Sequence, residues 1–101
     1  MTNSGKVSIG TGTPASGYTL SVAGKIISEE VRVMLQINWP DYVFDHSYAL
    51  RSLIDLESYI QENGHLPGVP SADDVAENGF GVGEMDAILL EKVEELTLYL
   101  I

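Results

Sequence analysis

The chain has 101 residues and no cysteine, so it offers one ordinary core at most and no disulfide or zinc-thiolate site to reinforce it. A hydrophobic fraction of 45% and a mean hydropathy of +0.09 exclude a chain disordered by composition. With 15 acidic against 5 basic residues the formal charge is −10, a field that repels nucleic-acid backbones and anionic lipid surfaces.

Residues 1–38 read as short strands. Val7 and Ile9 alternate in KVSIG, and Tyr18, Leu20 and Val22 alternate in GYTLSVAG. Val31, Val33, Leu35 and Ile37 then share one face of EEVRVMLQIN. Gly10, Gly12, Pro14, Gly17 and Gly24 punctuate these runs, which calls for tight turns between strands. The stretch GTGTPA at 10–15 fits the dinucleotide fingerprint G-x-G-x-x-A, with Glu29 and Glu30 near the distance of a ribose-binding acid. That motif works by opening a helix whose N-terminus holds a pyrophosphate. Here YTLSV follows, a strand pattern, so the stretch reads as a turn and no cofactor is expected.

Residues 39–81 form a second segment. Pro40 pushes Trp39 towards an extended conformation, and aromatics then crowd NWPDYVFDHSYAL. Trp39, Tyr42 and Phe44 are expected to plug the core at the strand-to-helix transition. With Tyr48, the same three offer the alternative of a stacking platform for a sugar. LRSLIDLESYIQEN carries Leu50, Leu53, Ile54, Leu56, Tyr59 and Ile60 at helical spacing, and Asn63-Gly64 stops it. Ser71 is placed to cap a short helix over ADDVAEN, whose early aspartates suit the positive end of its dipole.

Between these helices, ENGHLPGVPSADDVA gathers Glu62, His65, Asp73 and Asp74. A metal site would need several ligands at defined spacing, and the second histidine, His46, lies in another segment. A general base would need a nucleophile or substrate pocket. The structural reading is more specific: a helix stop, two prolines that fix an extended bend, and a cap. No catalytic residue and no metal ligand is therefore assigned. His65 beside carboxylates would make this elbow sensitive to mild acid.

Residues 82–101 carry the strongest helix pattern. Val82, Leu89, Val93, Leu96 and Leu100 fall on one stripe spaced as a heptad seam, with Asp86 in one seam position. Leu90, Thr97 and Ile101 widen the face, while Glu84, Glu91, Glu94 and Glu95 read as its solvated side. The chain stops on LYLI without glycine, basic residue or polar cap, which reads as a coiled-coil stem cut within a longer helix. The seam itself is compatible with a dimer or a trimer. No apolar run reaches the roughly 18–20 residues of a membrane span, and MTNSGKV lacks the apolar core of a signal peptide.

VSIGTGTPASGYTLSVAGKI resembles the V-x-I-G-T-x-x-P…L-x-V-x-G-x-I element of phage tail-fibre proteins and related bacterial surface fibres. From NWPDYVF through ENGHLPGVPSADDVAENG to LLEKVEELTLYLI, the chain is similar to the C-terminal region of tail-fibre-like proteins of Bacteroidetes. The resemblance spans residues 6–101. It implies an intertwined α+β homotrimer, strands first, then short helices and a coiled-coil stem, folding as one cooperative unit. The implied setting is a phage or injection-particle tail fibre or a bacterial cell surface. The implied partner is a second and third copy of the chain, with a cell-surface glycan or receptor as the alternative, and no nucleic acid or membrane insertion. Self-cleaving chaperone domains of related fibres use a serine near S-D-x-R-x-K. Here the place reads ISEEVRVM, where Ser28 and Arg32 are present but Glu29 replaces the aspartate and no lysine follows. A serine needs a base, so no autoproteolysis, and no enzyme, is expected.

Overall fold

A computed structural model describes residues 5–34 and 38–101. The architecture is mixed: two short strands, a 3-10 turn and three helices. The chain forms two compact units, Met1–Arg32 and Val33–Ile101.

The first unit is built on β1 (Val7–Ile9) and β2 (Leu20–Val22), paired in parallel with Val7 opposite Leu20 and Ile9 opposite Val22. Val7 N–H donates to the Thr19 carbonyl at 2.7 Å and Ala23 N–H to the Ile9 carbonyl at 2.8 Å, extending the ladder at both ends. Parallel pairing requires a crossover rather than a hairpin turn, and residues 10–19 supply it. Inside the crossover the Ala15 amide is held by the Ser21 hydroxyl at 2.9 Å. Gly10 leaves β1 at φ +77°, and a Cβ there would stand 2.8 Å from the Ala23 carbonyl oxygen, so both the backbone angle and the close approach demand glycine. GTGTPA thus lies between strands and opens no helix. The expected third strand differs: residues 31–34 adopt no regular structure, and Leu35 and Ile37 lie outside the described residues.

The second unit opens with buried Pro40 and the 3-10 turn Tyr42–Phe44. Helix α1 (Leu53–Asn63) starts at Ser52, whose hydroxyl accepts from Asp55 N–H at 3.1 Å, and ends on Gly64 at φ 74°. The elbow that follows turns at residues 66–69, where Val69 N–H donates to the Leu66 carbonyl at 3.2 Å. Helix α2 (Ala72–Asn78) has a full capping box, since the Ser71 hydroxyl accepts from Asp74 N–H while the Asp74 carboxylate accepts from Ser71 N–H. Helix α3 (Val82–Leu100) is the long element, and the 3-10 turn packs on it.

The core at this contact is small. Val43 is 1% exposed and Ala87 6%. The aromatic plug expected from the sequence is corrected here: Trp39 (53% exposed), Tyr42 and Phe44 all reach solvent, and the aliphatic Val43 between them fills the contact. A 3-10 turn has three residues per turn, so consecutive side chains point about 120° apart: Val43 is the one buried, Tyr42 reaches Glu91 of α3 with its hydroxyl, and Phe44 is exposed.

Candidate functional site

Helix α3 has two unlike sides. One side carries Ala87, Glu91, Glu94, Glu95 and Tyr99, and the chain's own residues 38–51 run along it. The Tyr42 hydroxyl donates to the Glu91 carboxylate and the Tyr48 hydroxyl to Glu95, while the Tyr99 hydroxyl donates to the Arg51 carbonyl. Positions 91, 95 and 99 are successive i, i+4 steps, so the three bonds form a ladder up one stripe of the helix. Lys92 sits at its edge, 3.1 Å from Glu91 and 3.0 Å from Glu95. Gly68 of the elbow approaches the same lysine, since a Cβ there would lie 3.8 Å from Nζ.

The ladder perturbs its acids and phenols. The hydrogen bond to Glu91, then burial, pushes the Tyr42 phenol up to about 12. Burial and the bond to Glu95 push Tyr48 higher still. Burial works to raise Glu91, yet the Tyr42 hydroxyl and the Lys92 ammonium outweigh it and hold the carboxyl below its ordinary value. Lys92 loses hydration through burial, but Glu95 and Glu91 more than compensate and raise it. Glu94 alone moves the other way for a carboxylate: burial raises it, and the facing Asp41 carboxyl raises it further.

The opposite side of α3 is bare. The seam residues Val82, Leu89, Val93, Leu96 and Leu100 are all exposed, with Leu89 at 50% and Leu96 at 57%. Leu89, Val93 and Leu96 share a groove of about 430 Å³ with Leu56 of α1 and Leu66 of the elbow, closed along one edge by Lys92, Glu95 and Tyr99. Val82 and Leu100 lie beyond its two ends. Asp86, in the seam stripe, is exposed and makes no hydrogen bond or ion pair among the described residues.

The sequence reading placed the seam but not the groove's second wall. Leu56 and Leu66 become visible only once the Gly64 stop folds the elbow back towards α3. The acids of α3 are a correction. Of the four glutamates read as solvated, Glu84 is exposed, whereas Glu91 and Glu95 are half-buried under tyrosines and Glu94 is 6% exposed. The aromatic platform is split: Tyr42 and Tyr48 lie 6.0 Å apart with rings tilted by 38°, while Trp39 and Phe44 join no ring contact.

His65 is half-buried, its ring edge-on to Tyr59 at 5.7 Å and its Nδ1 2.9 Å from the Leu66 carbonyl oxygen. Glu62, Asp73 and Asp74 make no bond to it among the described residues, and Asp74 is committed to the capping box. The polar elbow is assembled from backbone stops and caps. No group of three His, Cys, Asp or Glu side chains among the described residues is arranged to hold a metal ion. No helix among them is long and apolar enough to cross a membrane. Compared with known proteins, the sequence matches no family model, no curated protein and no solved structure.

Proposed function

We propose that this chain is a trimerisation and assembly module from the C-terminal part of a tail-fibre-like or surface-fibre protein. The observation that carries the reading is the sidedness of α3. Its own chain covers one side of the helix with a tyrosine ladder, and the side left bare is the one with heptad spacing. A surface helix with no partner would present its polar residues outwards and its leucines inwards. Here Leu89, Val93 and Leu96 face out while Glu94 faces in. Two or more parallel copies would bury the seam and leave the tyrosine ladder on the outside of the bundle.

The first unit supports the same reading. Parallel sheets occur almost only where other elements cover both faces, and a two-stranded sheet is marginal in water. Ile9, Leu20, Ile26, Ile27 and Val31 are exposed in the single chain. Interlacing of three chains would cover these residues and pair the open edges of β1 and β2. Threefold stoichiometry, the extracellular or virion setting and the absence of an enzymatic role rest on the resemblance of VSIGTGTPASGYTLSVAGKI and ENGHLPGVPSADDVAENG to fibre ends.

Multi-angle light scattering on the purified chain tests the proposal. A mass three times that of the 11.0 kDa chain is expected, and a monomer at micromolar concentration would sink it. A glycan array separates assembly from receptor binding: binding lost in Trp39→Ala, with the oligomer intact, would assign the exposed indole to a ligand.

A further inference from the structure

The assembly reading does not explain the placement of Glu94. It is 6% exposed, and its Oε1 is sealed from solvent with no hydrogen-bond partner among the described residues. It lies on the covered side of α3, one turn beyond Glu91 and two turns beyond buried Ala87. What faces it is another acid. Asp41 turns both its carboxyl and its backbone amide towards the Glu94 carboxyl. To do so Asp41 takes φ 140°, the only positive φ at a non-glycine residue among those described. Such angles persist only where the surroundings impose them. The strain sits between buried Pro40 and buried Val43, at the contact that holds the unit's small core.

Two ionised carboxylates cannot rest against each other in a desolvated site without a cation. From the 38–45 segment the groups nearby are Asp41 and Tyr42, and Tyr42 is committed to Glu91. From α3 Glu91 adds a further negative charge, and Lys92 is committed to Glu91 and Glu95. Among the described residues no cation faces the pair.

We propose that Glu94 and Asp41 share one proton and so form an acid latch that fastens residues 38–45 to α3. The Glu94 carboxyl donates its O–H to the Asp41 carboxylate, and both are satisfied without a counter-ion. When that proton leaves to solvent, two carboxylates face each other and the latch opens, exposing Val43. The direction opposes ordinary acid denaturation, in which carboxylates stabilised by cations are lost. A carboxyl raised in the folded chain gives stability that is full below the unfolded value and fades as pH climbs through the folded one. The latch lies away from the seam, so its test does not depend on the assembly reading.

The experiment is thermal melting at one fixed protein concentration between pH 5 and 8, for the native chain, Glu94→Gln and Asp41→Asn. The Tm of the native chain is expected to fall as pH rises. Glu94→Gln carries a permanent N–H donor in place of the shared proton, and its Tm should exceed that of the native chain at pH 8 and lose this fall. Asp41→Asn should flatten the profile likewise. A Glu94→Gln profile that keeps the native slope overturns the proposal. Carboxyl carbon NMR on the native chain answers independently if the variants fail to fold. The Glu94 Cδ signal should shift at higher pH in the folded chain than in the same chain unfolded in urea, and a shift at the same pH in both overturns the latch.

Discussion

Replacing Leu89 and Leu96 with aspartate removes the centre of the bare face. Each leucine is about half exposed in the single chain, 50% and 57%, so about half of its burial remains to be gained on association. Full burial of such a side chain stabilises by about 1.5–3 kcal/mol, which leaves about 1 kcal/mol for each. A trimer holds three copies of both, so the double substitution forfeits about 6 kcal/mol of association free energy. At about 1.4 kcal/mol per tenfold change this weakens assembly by roughly 10⁴-fold. The figure is a lower bound, because the new carboxylates would also be desolvated at the seam. Neither leucine belongs to the buried set of Val43 and Ala87, although the change also loses their packing along the groove with Leu56 and Leu66. Sedimentation velocity across a hundredfold concentration range reads the result directly. The native chain should hold one oligomeric mass throughout, and Leu89→Asp/Leu96→Asp should run as monomer. A double variant that stays oligomeric with unchanged Tm would refute the assignment of the seam.

Ser71→Ala removes the hydroxyl that accepts from Asp74 N–H, leaving only the backbone half of the α2 capping box, and should cost about 1 kcal/mol, read as a Tm lower by about 4–8 °C wherever α2 unfolds with the rest. An unchanged Tm would mean that α2 frays independently. Gly10→Ala combines a φ of +77° with a 2.8 Å approach to the Ala23 carbonyl. It should cost more than about 1 kcal/mol locally and strip hydrogen-exchange protection from the Val7 and Ala23 amides. Protection retained there would show that the crossover can shift. In alkaline titration followed by phenolate absorbance, Tyr42 and Tyr48 should ionise above the ordinary phenol value of 10. Because their folded values lie above the ordinary 10, the ladder's stability is complete below pH 10 and lost as pH rises towards about 12. One coincident tyrosine transition near the ordinary value would remove the ladder.

Local chemistry was legible in the sequence. Asn63-Gly64 and Ser71 act within one turn of themselves, and the structure realises both as the α1 stop and the α2 cap. Ser52-x-x-Asp55 carried the same kind of signal and sets the start of α1, three residues beyond the onset of the periodic leucines at Leu50. The stripe of α3 was legible because helical periodicity depends only on spacing. What faced the other side of α3 was not. Glu91, Glu94 and Glu95 look alike in sequence, and only the path of residues 38–51 decides that two receive tyrosine hydroxyls and one meets Asp41. The aromatic segment misled for a related reason. Its residues are large enough to be core, but the tight turn gave the single inward place to Val43.

The covered and bare sides of α3 depend on each other. Most helical stability in a protein comes from tertiary packing rather than from propensity, and seam residues on a fraying helix would have to be ordered at the moment of association. That ordering is subtracted from affinity. The tyrosine ladder, with one hydroxyl bond in each of three consecutive turns, holds the stretch from Glu91 to Tyr99, which is the stretch carrying Val93 and Leu96. Ala87 and Val43 hold the turn before it, where Leu89 begins the groove. In the proposed assembly the chain would meet its partner copies with the middle of the seam already fixed in register. It also explains why acids line the covered side of a helix in so acidic a chain. Leucines there would compete with the seam for partner copies, whereas Glu91 and Glu95 are satisfied within the chain, by the hydroxyls of Tyr42 and Tyr48 and by Lys92.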